Sequence, residues 1–182
     1  YFGEVQEKKV PGRNAGASIL FRNSSFTLWK EAPYLKVPAN GIPEGVQAGE
    51  RIAVSAAANE SEPFQLVLSP REDFGNVHLV FSDLKGENGV ISASNLSFRV
   101  VHFVNLKNPD NPSVKGWNAD PLLPDASANA EKGKNLPFYV MVKVPKEQKR
   151  GIYRGTVRVM SGTRELANVP LSVRVRGFAL PD

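Results

Sequence analysis

The sequence contains no cysteine. That excludes disulfide frameworks, thiol nucleophiles and thiolate metal sites. It contains two histidines, His78 and His102, whereas a typical catalytic zinc needs three protein ligands. Both fall in strand-like stretches, and no nearby nucleophile and acid spacing supports a catalytic triad. No apolar run approaches the ~18 residues of a membrane span. No helical period persists beyond about two turns. There is no phosphate loop, dinucleotide fingerprint or His-Glu zinc helix, and no internal repeat or low-complexity tract. The first residue is Tyr1 rather than Met, with no signal pattern behind it. The expectation is a processed or trimmed piece of chain, any export signal lying elsewhere.

What is present describes one β-rich domain. Apolar residues make up 41% of the 182, enough to form a core without a metal or disulfide. Val77, Leu79 and Phe81 alternate with Asn76, His78 and Val80. Leu171, Val173 and Val175 alternate with Ser172, Arg174 and Arg176. Period two places each set on one face of a strand. Strands are predicted over 26–30, 34–37, 50–58, 62–69, 76–82, 98–105, 137–144, 152–160 and 165–177. Turn chemistry separates them at Asn40-Gly41, Ser69-Pro70, Asn88-Gly89, Lys149-Arg150-Gly151 and Ser161-Gly162. A short helical turn fits near 93–97 or 126–132. The predicted fold is an all-β, antiparallel, jelly-roll-like sandwich of about nine or ten strands. Its core should include Phe64, Leu66, Val67, Leu79, Phe81, Val101, Phe103, Val140, Val142, Val157, Val159, Leu171, Val173 and Val175. Residues 1–22, polar and Gly-rich with Lys8-Lys9, read as an extended leader before a domain over 23–182.

The span from Leu106 to Leu136 stands apart. It holds Pro109, Pro112, Pro121 and Pro124 together with Trp117, Asp120 and Asp125. A long loop of this kind is usually functional or interfacial. Asp110, Asp120 and Asp125 are spaced too irregularly for a glycosidase acid pair to be read from them. A calcium site is conceivable from the same acids, although turn roles such as Asp120 before Pro121 suit them better. No metal site and no cofactor is expected.

Aromatics can stack on sugar rings, and Trp29, Tyr34, Trp117 and Tyr153 are the candidates, against the alternative that they anchor a core. Trp117, Tyr153 and Asp120 are the candidate carbohydrate-binding residues. The charge excess of +5 is also localised. Between 150 and 176, six arginines oppose one acid, Glu165. Arg154, Arg158, Arg174 and Arg176 fall on even positions whose odd neighbours point inward. They describe an outer sheet face, either solvated, interdomain, or able to hold a polyanion. Stacking aromatics or an insertable helix are missing beside them, so no nucleic-acid partner is expected.

Several motifs occur together and in order. Ala57-Ala58-Asn59-Glu60-Ser61-Glu62-Pro63-Phe64-Gln65-Leu66-Val67-Leu68 is followed by Ser82-Asp83-Leu84 and by Arg99-Val100-Val101-His102-Phe103-Val104. Then come Asp120-Pro121-Leu122-Leu123-Pro124, Asn135-Leu136-Pro137-Phe138-Tyr139-Val140 and Gly151-Ile152-Tyr153-Arg154-Gly155-Thr156-Val157. The series ends at Phe178-Ala179-Leu180-Pro181. Over about 25–182 the set resembles the N-terminal β-sandwich module that precedes the catalytic barrel in glycoside hydrolase family 123 and its DUF4091-type relatives. Full enzymes of that family look like β-N-acetylgalactosaminidases that use substrate-assisted hydrolysis and an Asp-Glu pair in the barrel. The resemblance implies a non-catalytic module that packs on a barrel of the same polypeptide, with no catalytic residue in this chain. It implies a bacterial, periplasmic or extracellular setting in carbohydrate metabolism. Independent glycan binding and polyanion binding through the C-terminal arginines remain as alternatives.

Overall fold

The computed structural model describes residues 16–110 and 115–181. Its strands are β1 (Ser18–Arg22), β2 (Phe26–Glu31), β3 (Gln47–Ala48), β4 (Ile52–Ala58), β5 (Ser61–Pro70), β6 (Phe74–Phe81) and β7 (Leu84–Gly86). They continue as β8 (Gly89–Ile91), β9 (Leu96–Leu106), β10 (Gly116–Leu123), β11 (Ala128–Ala130), β12 (Leu136–Lys143), β13 (Gly151–Ser161) and β14 (Arg164–Ala179). One 3-10 turn, Ala93–Asn95, precedes β9. The first sheet has the order β10-β9-β12-β5-β2-β1-β3. The second runs β11-β6-β13-β14-β4, with β7 and β8 continuing beside β13.

The alternation read from the sequence is what closes the sandwich. Phe26, Leu28, Phe64, Leu66, Phe138 and Val140 face inward from the first sheet, meeting Leu79, Val157, Val159, Leu171, Val173 and Val175 from the second. Each such side chain contributes about 1.5–3 kcal/mol when fully removed from water. Phe81 is half-buried at the rim of this core, packed beside Phe98. Val67 and Phe103 belong to a smaller apolar cluster with Trp29 and Val37. Odd positions on β5 face away from the main core, so this cluster lies on the other side of the first sheet.

Fourteen strands among the described residues replace the nine or ten expected. Those of two or three residues, β3, β7, β8 and β11, are too short to carry a visible period. The arrangement is also not wholly antiparallel, because β1 pairs β3 and β4 pairs β14 in parallel. The β4–β14 pair follows from the turn at Asn59-Glu60, which is an arch between sheets rather than a hairpin within one. The span 106–136 contains β10 and β11 instead of a structureless loop. Pro121 falls at a register shift between Ala119 and Leu122 on an edge strand, where a missing N–H is tolerated. Pro112 lies outside the described residues, as do positions 1–15 of the leader. Residues 18–22 of that leader form β1, so the sheet begins before position 23.

The strand predicted over 34–37 is a loop. Its backbone is strapped to the outer face of the first sheet by two buried amides. Gln65 Nε2 donates to the carbonyls of Ala32 at 2.8 Å and Leu35 at 2.7 Å. Asn135 Nδ2 donates to Pro38 at 3.0 Å and Gly41 at 2.6 Å. Ser69 Oγ donates to Asn135 Oδ1 at 2.6 Å and accepts from Trp29 Nε1 at 2.9 Å. Trp29 is therefore a core residue, not an exposed platform. Replacing Asn135 by alanine should cost about 1–2 kcal/mol in urea unfolding. It should also speed proteolysis within 33–45, and unchanged cleavage there would count against the strap.

Candidate functional site

Most of the sequence motifs resolve into structural devices. Ser82-Asp83 interrupts the strand formed by β6 and β7 where both pass β13. Ser82 Oγ accepts the Thr156 N–H at 2.9 Å, and the Ser82 N–H donates to the Thr156 carbonyl at 3.1 Å. Gly155 lies beneath this break. A Cβ there would come within 2.6 Å of Ser82 Oγ and 2.7 Å of the Asp83 carbonyl oxygen. The two motifs are thus halves of one packing feature. Tyr153, two residues earlier, is fully buried, and its hydroxyl donates to the Lys149 carbonyl at 2.7 Å. This corrects the expectation that Tyr153 could stack on a sugar: its period-two position points into the core.

The Asn59-Glu60 arch organises the end at which β14 leaves the sandwich. Asn59 adopts a left-handed conformation, φ 65°, which asparagine tolerates better than most residues. Its Nδ2 donates to the Leu180 carbonyl at 3.2 Å. The Leu180 N–H donates to the Ala58 carbonyl at 2.8 Å. Glu60 Oε2 accepts the Ala57 N–H at 2.6 Å. The segment after β14 is therefore fastened to the arch, with Phe178 56% exposed beside it.

The remaining candidate residues are dispersed. Trp117 is 45% exposed on edge strand β10, opposite Asn105. Asp120 forms an exposed ion pair with Lys36 at 3.8 Å. Asp125 lies 2.9 Å from His102 Nε2, tying the segment after β10 back to β9. Two of the carboxylates considered for calcium, Asp120 and Asp125, thus have separate partners, and no hydroxyl nucleophile bonds to His102 among the described residues. The His102–Asp125 bond was invisible in the sequence because 23 residues separate its members.

The four arginines also divide. Arg158 approaches Glu165 at 3.8 Å. Arg176 Nε donates to Ser55 Oγ at 3.2 Å. Arg154 and Arg174 instead line a shallow groove of about 300 Å³ with Arg51, Ser55 and Ser172. Arg51 escaped the sequence reading because it lies far from the C-terminal run, and parallel pairing of β4 with β14 brings it in. A second cleft of about 320 Å³ adjoins this groove and shares Ala53, Val54 and Ser55 with it. Its walls include Tyr34, Glu62 and Arg176. Burial raises the Glu62 carboxyl above the usual carboxylate range; Glu60 raises it further, and Arg176 opposes both.

Residues 43–161 match the model of the glycoside hydrolase 123 N-terminal domain. The chain belongs to that family. A solved family 123 glycoside hydrolase from Clostridium perfringens, studied for glycolipid glycan hydrolysis, is similar in structure, with a TM-score of 0.59 and 25% identity. The likeness covers 71% of this chain and 23% of that enzyme, so the chain corresponds to less than a quarter of it. A PapD-like domain of human CEP192 aligns more loosely, with a TM-score of 0.37 and 13% identity over 80% of this chain and 99% of that one. No curated protein matches. Within the glycoside hydrolase 123 N-terminal domain, the motifs described here serve the arch, the strap and the strand break.

Proposed function

We propose that this domain is a non-catalytic module of a glycoside hydrolase 123 protein, packing on and orienting a catalytic barrel that this chain does not contain. The observation that carries the reading is the fastened exit from β14. Leu180 is held through both its N–H and its carbonyl, which fixes the direction of the chain beyond the sandwich. Phe178 and Leu180 remain exposed there, an apolar pair suited to a neighbouring domain. The relative's bacterial source and its action on glycolipid glycans support a bacterial setting for the parent protein with a glycan as its substrate; a periplasmic or extracellular location and a β-N-acetylgalactosaminide follow from the family resemblance. Independent carbohydrate binding is the second reading, favoured by the exposed ring of Trp117.

The test compares the 182-residue chain with a parent protein carrying the barrel, using aryl N-acetyl-β-galactosaminide. The isolated chain should give no turnover. Phe178→Glu with Leu180→Glu should lower the melting temperature and turnover of the parent while leaving the isolated chain's stability nearly unchanged. Turnover by the isolated chain, or a parent indifferent to both substitutions, sinks the proposal.

A further inference from the structure

We infer that the joined clefts around β4 form a binding groove for an acidic oligosaccharide, with a sugar ring on Tyr34 and a sulfate or carboxylate among Arg51, Arg154 and Arg174. This site is separate from Trp117 and from the exit surface, and it does not rest on the docking proposal.

Three observations converge. First, Arg51, Arg154 and Arg174 line one groove whose walls include no acid, and none of the three has an ion-pair or hydrogen-bonding partner among the described residues. The strand ladder fixes their proximity. Arg154 pairs with Ser172, Arg174 lies two residues along β14, and Ser172 pairs with Ala53 on β4. Diagonal neighbours in such a ladder lie about 7–8 Å apart. Arg154 and Arg174 form such a diagonal pair, two like charges that repel one another unless an anion enters, while Arg51, one residue before the Leu171–Ile52 pair, lines the same groove farther along β4. Guanidinium groups suit the planar or tetrahedral oxygens of carboxylate and sulfate.

Second, the groove continues into the adjoining cleft, where Tyr34 is 76% exposed. Tyrosine offers an apolar face and a polar tip to a partly wet ligand. Third, polarity changes between the two halves. Lys30, Glu62 and Arg176 flank the Tyr34 half with charges of both signs and can meet neutral sugar hydroxyls, whereas the arginine half carries positive charge alone. The acid substituent is thereby directed to the three arginines. The two volumes, near 320 and 300 Å³, suit a short oligosaccharide lying across β4.

Calorimetric titration of the 182-residue chain with a chondroitin sulfate tetrasaccharide, its desulfated form and a hyaluronan tetrasaccharide tests the inference. Binding of at least one acid-bearing tetrasaccharide is expected, weakening as salt rises. Preference for the sulfated over the desulfated form would assign the arginines to sulfate, and equal binding of all three to carboxylate. Arg154→Ala with Arg174→Ala should lower affinity at least tenfold, and Tyr34→Ala should lower it severalfold. Arg99→Ala, on the other sheet, should leave it unchanged. Three results would overturn the inference: no binding at low salt, equal loss with Arg99→Ala, or binding that disappears when the catalytic barrel is present. The last would assign the groove to an acidic protein surface.

Discussion

Replacing Tyr153 by alanine lowers the free energy of unfolding by about 3–5 kcal/mol, the range for deleting a buried aromatic ring. The ring is fully enclosed. On one side it meets the backbone at Gly86, where an added Cβ would lie 2.8 Å from Tyr153 Cδ1. The cavity left by truncation is lined on that side by backbone, which cannot collapse inward. Tyr153→Phe keeps the ring and loses only the hydrogen bond to the Lys149 carbonyl, so about 0.5–1.5 kcal/mol is expected. Urea denaturation of the three proteins separates these terms. If Tyr153 were a ligand platform, alanine would leave the unfolding midpoint almost unmoved.

The second large effect is expected at Gly155. Alanine there would bring Cβ within 2.7 Å of both the Asp83 carbonyl oxygen and Leu84 Cδ2, and within 2.6 Å of Ser82 Oγ. The carbonyl is fixed by the strand break, so the clash cannot be relieved by a side-chain rotation alone. Overpacking of this kind costs about 1–3 kcal/mol, and Gly155→Val should lie at the upper end. Ser82→Ala removes one of the three obstacles. The double variant with Gly155→Ala should therefore be less destabilised than the sum of the singles. Strict additivity would mean that the two residues do not share one packing feature.

Legibility followed the length of the physical signal. Long alternating stretches such as 151–161 and 164–179 declared themselves, and their inward residues form the core. The loop at 34–37 misled because Val37 is buried by a strap made from Gln65 and Asn135. Buried side chains without a ladder look like a strand from composition alone. In the candidate site, Arg154 and Arg174 were readable from strand period, whereas Arg51 needed the pairing of β4 with β14. Tyr153 was misread for the opposite reason. Its motif marked it as notable, although its odd position already set it on the inward face with Val157 and Val159, where its role is packing.

The placement of β14 also has a mechanical meaning. It is the longest strand, and it lies between β13 and β4, bonded to both. Tension applied at Pro181 along the strand axis meets both ladders in shear, so many bonds must yield together. An edge strand pulled the same way would load a single ladder. The fastening at Asn59 and Ala58 transfers the first part of such a load to the arch and hence to β5 in the opposite sheet. The sandwich is thus stiff along β14, because a load entering at that end is shared between both sheets.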